Sequence, residues 1–133
     1  MNSTILLDTC VLLDTLFKYQ TLSQEAKKLM EDGHHSLAVS AASIWEVSIK
    51  NFKHPKDMQI DGSTLYHLLK QLDISIIPIK PEHTQAIGPI LEEGIHNDPF
   101  DTIIVATAAA DCYTLLTKDE KVAKYRNANI VLV

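Results

Sequence analysis

The 133-residue sequence is poor in cysteine and glycine, and each scarcity removes a class of protein. Its two cysteines, Cys10 and Cys112, show neither CxxC nor metal-type spacing, so reduced thiols in a cytoplasmic protein are the simpler interpretation. Four glycines occur, and none falls in a GxGxxG or GxxxxGK(S/T) pattern. Neither a dinucleotide-binding fingerprint nor a P-loop is therefore supported.

Long apolar runs are also missing, since no stretch approaches the roughly 20 residues that a membrane span needs. The opening MNSTILLDTC has no basic leader and reaches an aspartate at position 8, so we expect no signal peptide. Repeats, low-complexity segments and linkers are absent as well. We expect residues 1–133 to form a single cytoplasmic domain without membrane attachment.

Positive charge is scarce overall, and the net charge of −5 argues against a simple basic nucleic-acid binder. Its distribution is uneven, however. Between residues 40 and 56, Glu46 is the one acid against Lys50, Lys53 and Lys56, and four further basic residues fall within 118–126. Charge alone decides nothing about partners.

Short apolar runs alternate with longer amphipathic segments. This alternation predicts an open parallel sheet of about five strands with helices on both faces. In such sheets, function gathers at the carboxyl ends of the strands. The predicted strands are 5–7, 37–39, 74–77, 113–117 and 130–133, and the predicted helices are 23–31, 41–52, 63–72, 81–91, 98–111 and 119–125, with another starting at Thr9.

Two of these helices carry a specific expectation. Pro89 is expected to end or distort the helix over 81–91. The helix over 41–52 places five side chains on one stripe at helical spacing: Ala41, Ile44, Trp45, Ser48 and Phe52.

Acidic residues recur at positions that the predicted sheet would bring to its carboxyl edge. Asp8 directly follows the first strand, and Asp119 follows the fourth by two residues. Glu46 lies inside a helix, and Asp98 and Asp101 begin the long helix before the fourth strand. Distant parts of the chain thus contribute acids that a parallel sheet can bring to one edge.

Each acid also has a structural explanation, which is the better one when it is considered singly. Asp8 and Asp119 can cap the helices that follow them, as Thr117 can, and Glu46 can pair with Lys50 one turn further on. In the stretch HNDPFD, the first aspartate suits an N-cap, the proline suits the first turn, and the second aspartate resembles a capping box.

Taken together, the acids favour a cation site. Glu46 is flanked by apolar residues, and burying an unpaired carboxylate is costly. Asp101 precedes the apolar run 103–110, so a carboxylate there is expected to be half-buried. Converging acids repel unless a cation joins them, and hard oxygen ligands suit Mg²⁺ or Mn²⁺. Such ions are the usual equipment for phosphodiester hydrolysis.

Four segments also resemble a known family: "ILLDTCVLLDTL", "SAASIWEVSIK", "HNDPFDTIIVATA" and "LLTKDEKV". They are similar to the successive motif blocks of the PIN-domain ribonucleases, most of all to VapC-type toxins of prokaryotic toxin–antitoxin pairs. They span nearly the whole chain in the family's order. The resemblance implies a PIN-like three-layer fold and an endoribonuclease whose metal-activated water leaves a 5′-phosphate and a 3′-hydroxyl.

The resemblance also implies roles for individual residues. The catalytic and metal-binding acids would be Asp8, Glu46, Asp101 and Asp119. Asp98 is the extra acid of the DPFD variant and would support them, while Thr9 and Thr117 would orient an acid or a metal-bound water. The sequence departs from the family pattern at Cys10, Asp14 and the basic stretch KNFKHPKDM, which bears on the target rather than the chemistry.

The implied partners are an RNA of the tRNA or rRNA class, a cognate antitoxin that presents an arginine to the acids, and a second copy in a homodimer. The candidate RNA-contacting residues are Lys50, Lys53, Lys56 and Lys118, with Lys121 as a further candidate, although a solvated face is their simpler interpretation. We expect His34, His35, His54, His67 and His83 to lie on the surface. His96 adjoins the DPFD block, yet a catalytic role for it is not favoured.

Other classes fit less well. A receiver domain would need adjacent acids after the first strand and a phosphoacceptor aspartate after the third, and a HAD-like phosphatase would need DxD where residues 8–10 are Asp-Thr-Cys. The stronger alternative is a non-catalytic PIN-like module that binds RNA or protein. All four acids are present, which weighs against it.

Overall fold

The computed structural model describes residues 3–95 and 98–133. Its centre is a parallel five-stranded sheet in the order β3-β2-β1-β4-β5. The strands are β1 (Ser3–Leu7), β2 (His35–Ser40), β3 (Ser75–Ile77), β4 (Thr114–Thr117) and β5 (Asn129–Leu132). The predicted parallel α/β fold is confirmed, with strand ends shifted by one or two residues.

The helices largely follow the predicted segments. They are α1 (Thr9–Phe17), α2 (Gln24–Glu31), α3 (Ala41–Lys53), α4 (Gly62–Gln71), α5 (Pro81–Gln85), α6 (Ile87–Glu92) and α7 (Pro99–Asp111). The distortion expected from Pro89 is confirmed, and one other prediction needs correction. The helix expected over 81–91 divides at Ala86, because the Pro89 ring conflicts with a helical carbonyl four residues earlier, at Gln85. The helix expected over 119–125 is only a 3₁₀ turn, Val122–Lys124.

The sheet has an apolar core on each face because its strand residues alternate in direction. On β1, Leu6 belongs to one core, while Ile5 and Leu7 belong to the other. The first core includes residues of α6 and α7, and the second includes residues of α1, α3 and α4. Within the described residues, none of the helices is long and apolar enough to span a membrane.

Helix α3 turns a different face inward from the stripe that its sequence suggested. Its buried residues are Ala42, Ser43, Glu46 and Val47. Trp45 and Phe52, both on the expected stripe, are 54% and 86% exposed. A close approach of α4 fixes this orientation, since a Cβ on Gly62 would lie 1.8 Å from the Ser48 hydroxyl oxygen.

The prediction that His83 lies on the surface is wrong, because its side chain is fully buried. Its Nδ1 accepts a hydrogen bond from the Lys80 backbone N–H at 3.0 Å, so the ring proton sits on Nε2 and is donated to Asp111 at 2.8 Å. This bond ties α5 to the last residue of α7. His34, His54 and His67 are exposed and His35 is partly buried, whereas His96 lies outside the described residues.

Candidate functional site

The site lies where the strand order reverses, between β1 and β4. The chain leaves the carboxyl ends of these strands in opposite directions, which opens a crevice of the kind that binds ligands in parallel sheets. The backbone N–H of Asp8 donates to the Leu116 carbonyl at 3.0 Å, so the ends of β1 and β4 are joined there.

Asp8 is held at this crevice by two hydrogen bonds. Its side chain is 6% exposed. Oδ1 accepts from the Thr9 backbone N–H at 2.8 Å, which confirms the predicted cap, and Oδ2 accepts from the Thr117 hydroxyl at 2.7 Å. Burial raises the pKa of Asp8, with Glu46 and Asp119 adding to the rise and both hydrogen bonds opposing it.

Thr117 forms hydrogen bonds with two of the predicted acids, Asp8 and Asp119, which are far apart in the sequence. Besides donating to Asp8, its hydroxyl oxygen accepts the Asp119 backbone N–H at 3.0 Å. Asp119 is exposed, and its Oδ1 accepts the Lys121 backbone N–H at 2.8 Å. The acid therefore shapes the turn after β4 while its carboxylate stays open to solvent.

Glu46 enters the crevice from α3 and is 7% exposed. Its Oε2 accepts from the Lys50 ammonium at 2.8 Å, which confirms the predicted pairing one turn apart. Its Oε1 is buried and has no hydrogen-bond partner among residues 3–95 and 98–133. A buried carboxylate oxygen left without a partner costs free energy, so it marks a place where a ligand would be stabilised.

Helix α7 supplies the remaining acids at its first turn. The exposed Asp98 caps the helix, since its Oδ1 accepts the backbone N–H groups of Phe100 and Asp101 at 2.9 and 3.0 Å. Asp101 is half-buried. Burial, followed by the negative charges of Asp8, Asp98, Glu46 and Asp119, raises the pKa of Asp101 to about 7.

The predicted acids therefore share one electrostatic environment, although they do not form a closed cage. Within residues 3–95 and 98–133, no three histidine, cysteine, aspartate or glutamate side chains form a group compact enough to hold a metal ion. The donor chemistry nevertheless fits a hard divalent cation, because it consists of carboxylate oxygens. The partnerless Glu46 oxygen and the raised Asp101 pKa are both features that a bound cation would relieve.

Two polar pairs at the site were not anticipated from the sequence. The Thr9 hydroxyl shares a 2.8 Å hydrogen bond with the fully buried Ser43 hydroxyl, which joins α1 to α3 beneath the acids. Asp14 forms an ion pair with Lys118 across the rim. Local spacing carries no signal for either pair, since the partners are 34 and 104 residues apart.

The candidate RNA-contacting lysines divide into two groups. Lys50 and Lys118 are already engaged by Glu46 and Asp14, with side chains about half exposed. Lys53 and Lys56 are exposed. Beside the rim, the Asp14–Lys118 pair and Cys10 help line a groove of about 910 Å³ between α1 and the loop before α4.

This architecture is a parallel α/β domain with an acidic crevice at the switch point of its sheet. The family model for the PIN domain matches residues 5–128, and the chain belongs to the PIN domain family. The family membership predicted from the motif blocks is thereby confirmed. A comparison with curated protein sequences gives no significant match.

Solved structures share this fold at low sequence identity. A chain of the VapBC2 complex of Rickettsia felis, bound to a DNA fragment from its promoter, superposes with a TM-score of 0.74 at 19% identity and 98% coverage of both chains. DNA-bound VapBC from Salmonella typhimurium gives a TM-score of 0.68 at 13% identity, again covering 98% of each chain. A toxin–antitoxin complex from Klebsiella pneumoniae gives 0.63 at 22% identity, covering 96% of this chain and 95% of that one.

Proposed function

We propose that this protein is a Mg²⁺- or Mn²⁺-dependent endoribonuclease and the toxin of a type II toxin–antitoxin pair. The observation that carries the proposal is the buried Glu46 Oε1, which has no hydrogen-bond partner in the described part of the chain and lies at a crevice where other acids converge. A folding role alone gives no reason to keep such an atom. Membership of the PIN family and the likeness to chains of VapBC structures support the same proposal.

The proposed ligands are Asp8, Glu46, Asp101 and Asp119. A divalent ion held by them would lower the pKa of a water and stabilise charge on the scissile phosphate. The protein's part is to orient oxygens. Thr117 and the Thr9 backbone fix the Asp8 carboxylate and still leave each oxygen a free lone pair.

Two further groups hold the other acids in position. Lys50 holds one oxygen of Glu46, so the second oxygen keeps a fixed direction. Asp98 caps α7 and thereby places Asp101 at the entry to the helix. In this proposal Asp98 supports the ligands and is not itself one of them.

The proposed substrate is RNA of the tRNA or rRNA class, cut to leave a 5′-phosphate and a 3′-hydroxyl. The exposed side chains of Lys53 and Lys56 are suited to contact backbone phosphates without reading sequence. Lys50 and Lys118 could do the same only by sharing or exchanging their present carboxylate partners.

The proposed protein partners are a cognate antitoxin and a second copy of the chain. The acids that raise the pKa of Asp101 would together attract an arginine, whose guanidinium pairs well with carboxylates. An antitoxin segment bearing that arginine would exclude both cation and substrate. The structures with this fold include toxin–antitoxin complexes, which supports the same partner.

The test is RNA cleavage by the purified protein with EDTA, Mg²⁺ or Mn²⁺. We expect Glu46→Gln to lower cleavage by more than about 100-fold, because losing even an outer partner of a metal ligand costs about 10–100-fold. Glu92→Gln, which removes an exposed acid on α6, is the matched control and should cleave normally. A protein that binds RNA with no cleavage and no Mn²⁺-induced rise in Tm would instead be a non-catalytic module.

A further inference from the structure

Trp45 is an unusually exposed residue for its size and position. It is the single tryptophan of the chain, 54% exposed, and it directly precedes the buried Glu46. Large aromatic side chains are on average well buried, so a half-exposed indole beside a candidate ligand requires an explanation. The inward face of α3 is occupied by smaller residues and Glu46, and this leaves the indole at the rim of the crevice.

The indole does not lie loosely on the surface. Its ring packs edge-to-face against Phe100, with centroids 4.9 Å apart and planes at 80°. Phe100 lies in the first turn of α7, directly before Asp101. The aromatic pair therefore bridges α3 and α7 beside the two acids that these helices contribute, and packing of this kind holds the rings in defined orientations.

We propose that Trp45, supported by Phe100, stacks on an unpaired nucleobase next to the phosphate that the acids cleave. The inference rests on the proposed nuclease function and adds a subsite to it. An edge-to-face pair cannot cover both faces of both rings, so an aromatic face remains for a base. Stacking on such a face tolerates any base and contributes substantially to single-strand binding.

The surrounding charges suit the same occupant. Lys50 lies one helical turn after Glu46 on α3, and its ammonium pairs with that glutamate. The negative charge of Asp98 also helps to raise the pKa of Lys50. A positive group and an exposed aromatic ring, both at the acidic crevice, match the backbone and base of a bound nucleotide. Proteins that read RNA do so mostly at single-stranded positions, where bases are free to stack.

The single tryptophan allows a direct test, because all indole fluorescence comes from Trp45. A single-stranded RNA 12-mer that the protein cleaves with Mn²⁺ is titrated in EDTA, where it is not cut. We expect quenching of the emission that saturates with the RNA, and weaker quenching by a duplex of the same sequence. Unchanged emission at RNA concentrations that a filter assay shows to be saturating would overturn the proposal.

Kinetics then distinguish a stacking residue from a merely structural one. We expect Trp45→Leu to raise KM by about 5- to 30-fold, with kcat within about twofold and the Mn²⁺-induced Tm shift unchanged. Tyr66→Ala is the matched control, because this aromatic is 43% exposed but adjoins the beginning of β3, away from the carboxyl edge. A fall in kcat with a smaller Mn²⁺ shift would assign Trp45 a structural role and refute stacking.

An abasic nucleotide on either side of the cleavage point provides the decisive comparison. In the unaltered protein, one of the two abasic oligonucleotides should raise KM by a factor similar to that of Trp45→Leu, and the two changes together should raise it no further. If the abasic effect persists in full in Trp45→Leu, the base lies elsewhere and the inference fails. If Trp45→Leu instead converts a dimer to a monomer by light scattering, Trp45 covers a second copy and the inference also fails.

The two proposals fail separately. If the unaltered protein shows no metal-dependent cleavage of any RNA, the nuclease proposal is wrong, and the subsite next to a cleaved phosphate is withdrawn with it. If cleavage is Mn²⁺-dependent and Glu46→Gln abolishes it, while Trp45→Leu keeps both KM and the abasic effect, only the stacking subsite is wrong.

Discussion

Replacing Asp101 with asparagine should stabilise the metal-free protein above neutral pH. Burial and four neighbouring acids raise the pKa of this carboxyl from an ordinary 3.8 to about 7. If the whole pKa shift contributed to stability, it would correspond to about 4 kcal/mol of unfolding free energy. Asp101 is only half-buried, so solvent screening reduces the expected gain to about 1–2 kcal/mol. For a domain of this size, that is a rise in Tm of about 3–10 °C.

The pH dependence follows from the direction of the shift. The folded protein holds the Asp101 proton up to about pH 7, whereas the unfolded chain releases it near 3.8. This group therefore lowers wild-type stability progressively between those values, and its full cost is present above pH 7. The advantage of Asp101→Asn should be greatest at pH 8, smaller at pH 5.5 and absent below about pH 3.8.

The assay is thermal unfolding in EDTA at pH 5.5 and 8, repeated at pH 8 with Mn²⁺, and Glu92→Gln is the control. Mn²⁺ should raise the Tm of the unaltered protein more than that of Asp101→Asn, because the amide is a poorer ligand. A lower Tm for Asp101→Asn at pH 8 in EDTA would refute the reasoning, and so would a difference that stays constant between the two pH values.

Three further changes test the contacts around the acids. Thr117→Val removes the hydroxyl that donates to Asp8, so it should lower the unfolding free energy by about 1–3 kcal/mol in urea titrations. It should also weaken Mn²⁺ binding by about 10–100-fold. Unchanged Mn²⁺ affinity would contradict an orienting role for Thr117. Lys50→Met leaves Glu46 without its counter-charge, so we expect a larger Mn²⁺-induced Tm shift than in the unaltered protein or in the control Lys53→Gln, which changes an exposed lysine. A smaller shift would count against a cation at this glutamate. Gly62→Ala should cost about 1–3 kcal/mol through its clash with Ser48, and Ser48→Ala in the same chain should recover part of it; no recovery would place the strain elsewhere.

The features that were predicted best from the sequence are those that depend on residues close together in the chain. Apolar runs without alternation predicted the buried parallel strands, and the Glu46–Lys50 pair followed from a spacing of one helical turn. In HNDPFD, Asp98 was expected to cap the helix, and its two backbone hydrogen bonds confirm that role. The metal role assigned to Asp101 stays a prediction, which the raised pKa supports without testing.

Tertiary contacts account for what the sequence did not predict. His83 is buried because it meets Asp111, which is 28 residues away, and no local pattern distinguishes it from an exposed histidine. Helix α3 has apolar residues on more than one side, so its inward face depends on the approach of α4 at Gly62. The Asp8–Thr117 bond spans 109 residues, so the parallel-sheet argument could place the two strand ends at one edge but could not predict this contact.

The bond between the buried His83 and Asp111 has a consequence for how the site can change over evolution. Helix α7 carries Asp101 at one end and is clamped to α5 by Asp111 at the other, about 15 Å further along the helix axis. A rigid helix fixed at its far end transmits any rotation or slide to its near end. Substitutions in α5 can therefore adjust the geometry of the acids without touching them, which makes α5 a place where activity can be tuned while the ligands stay constant.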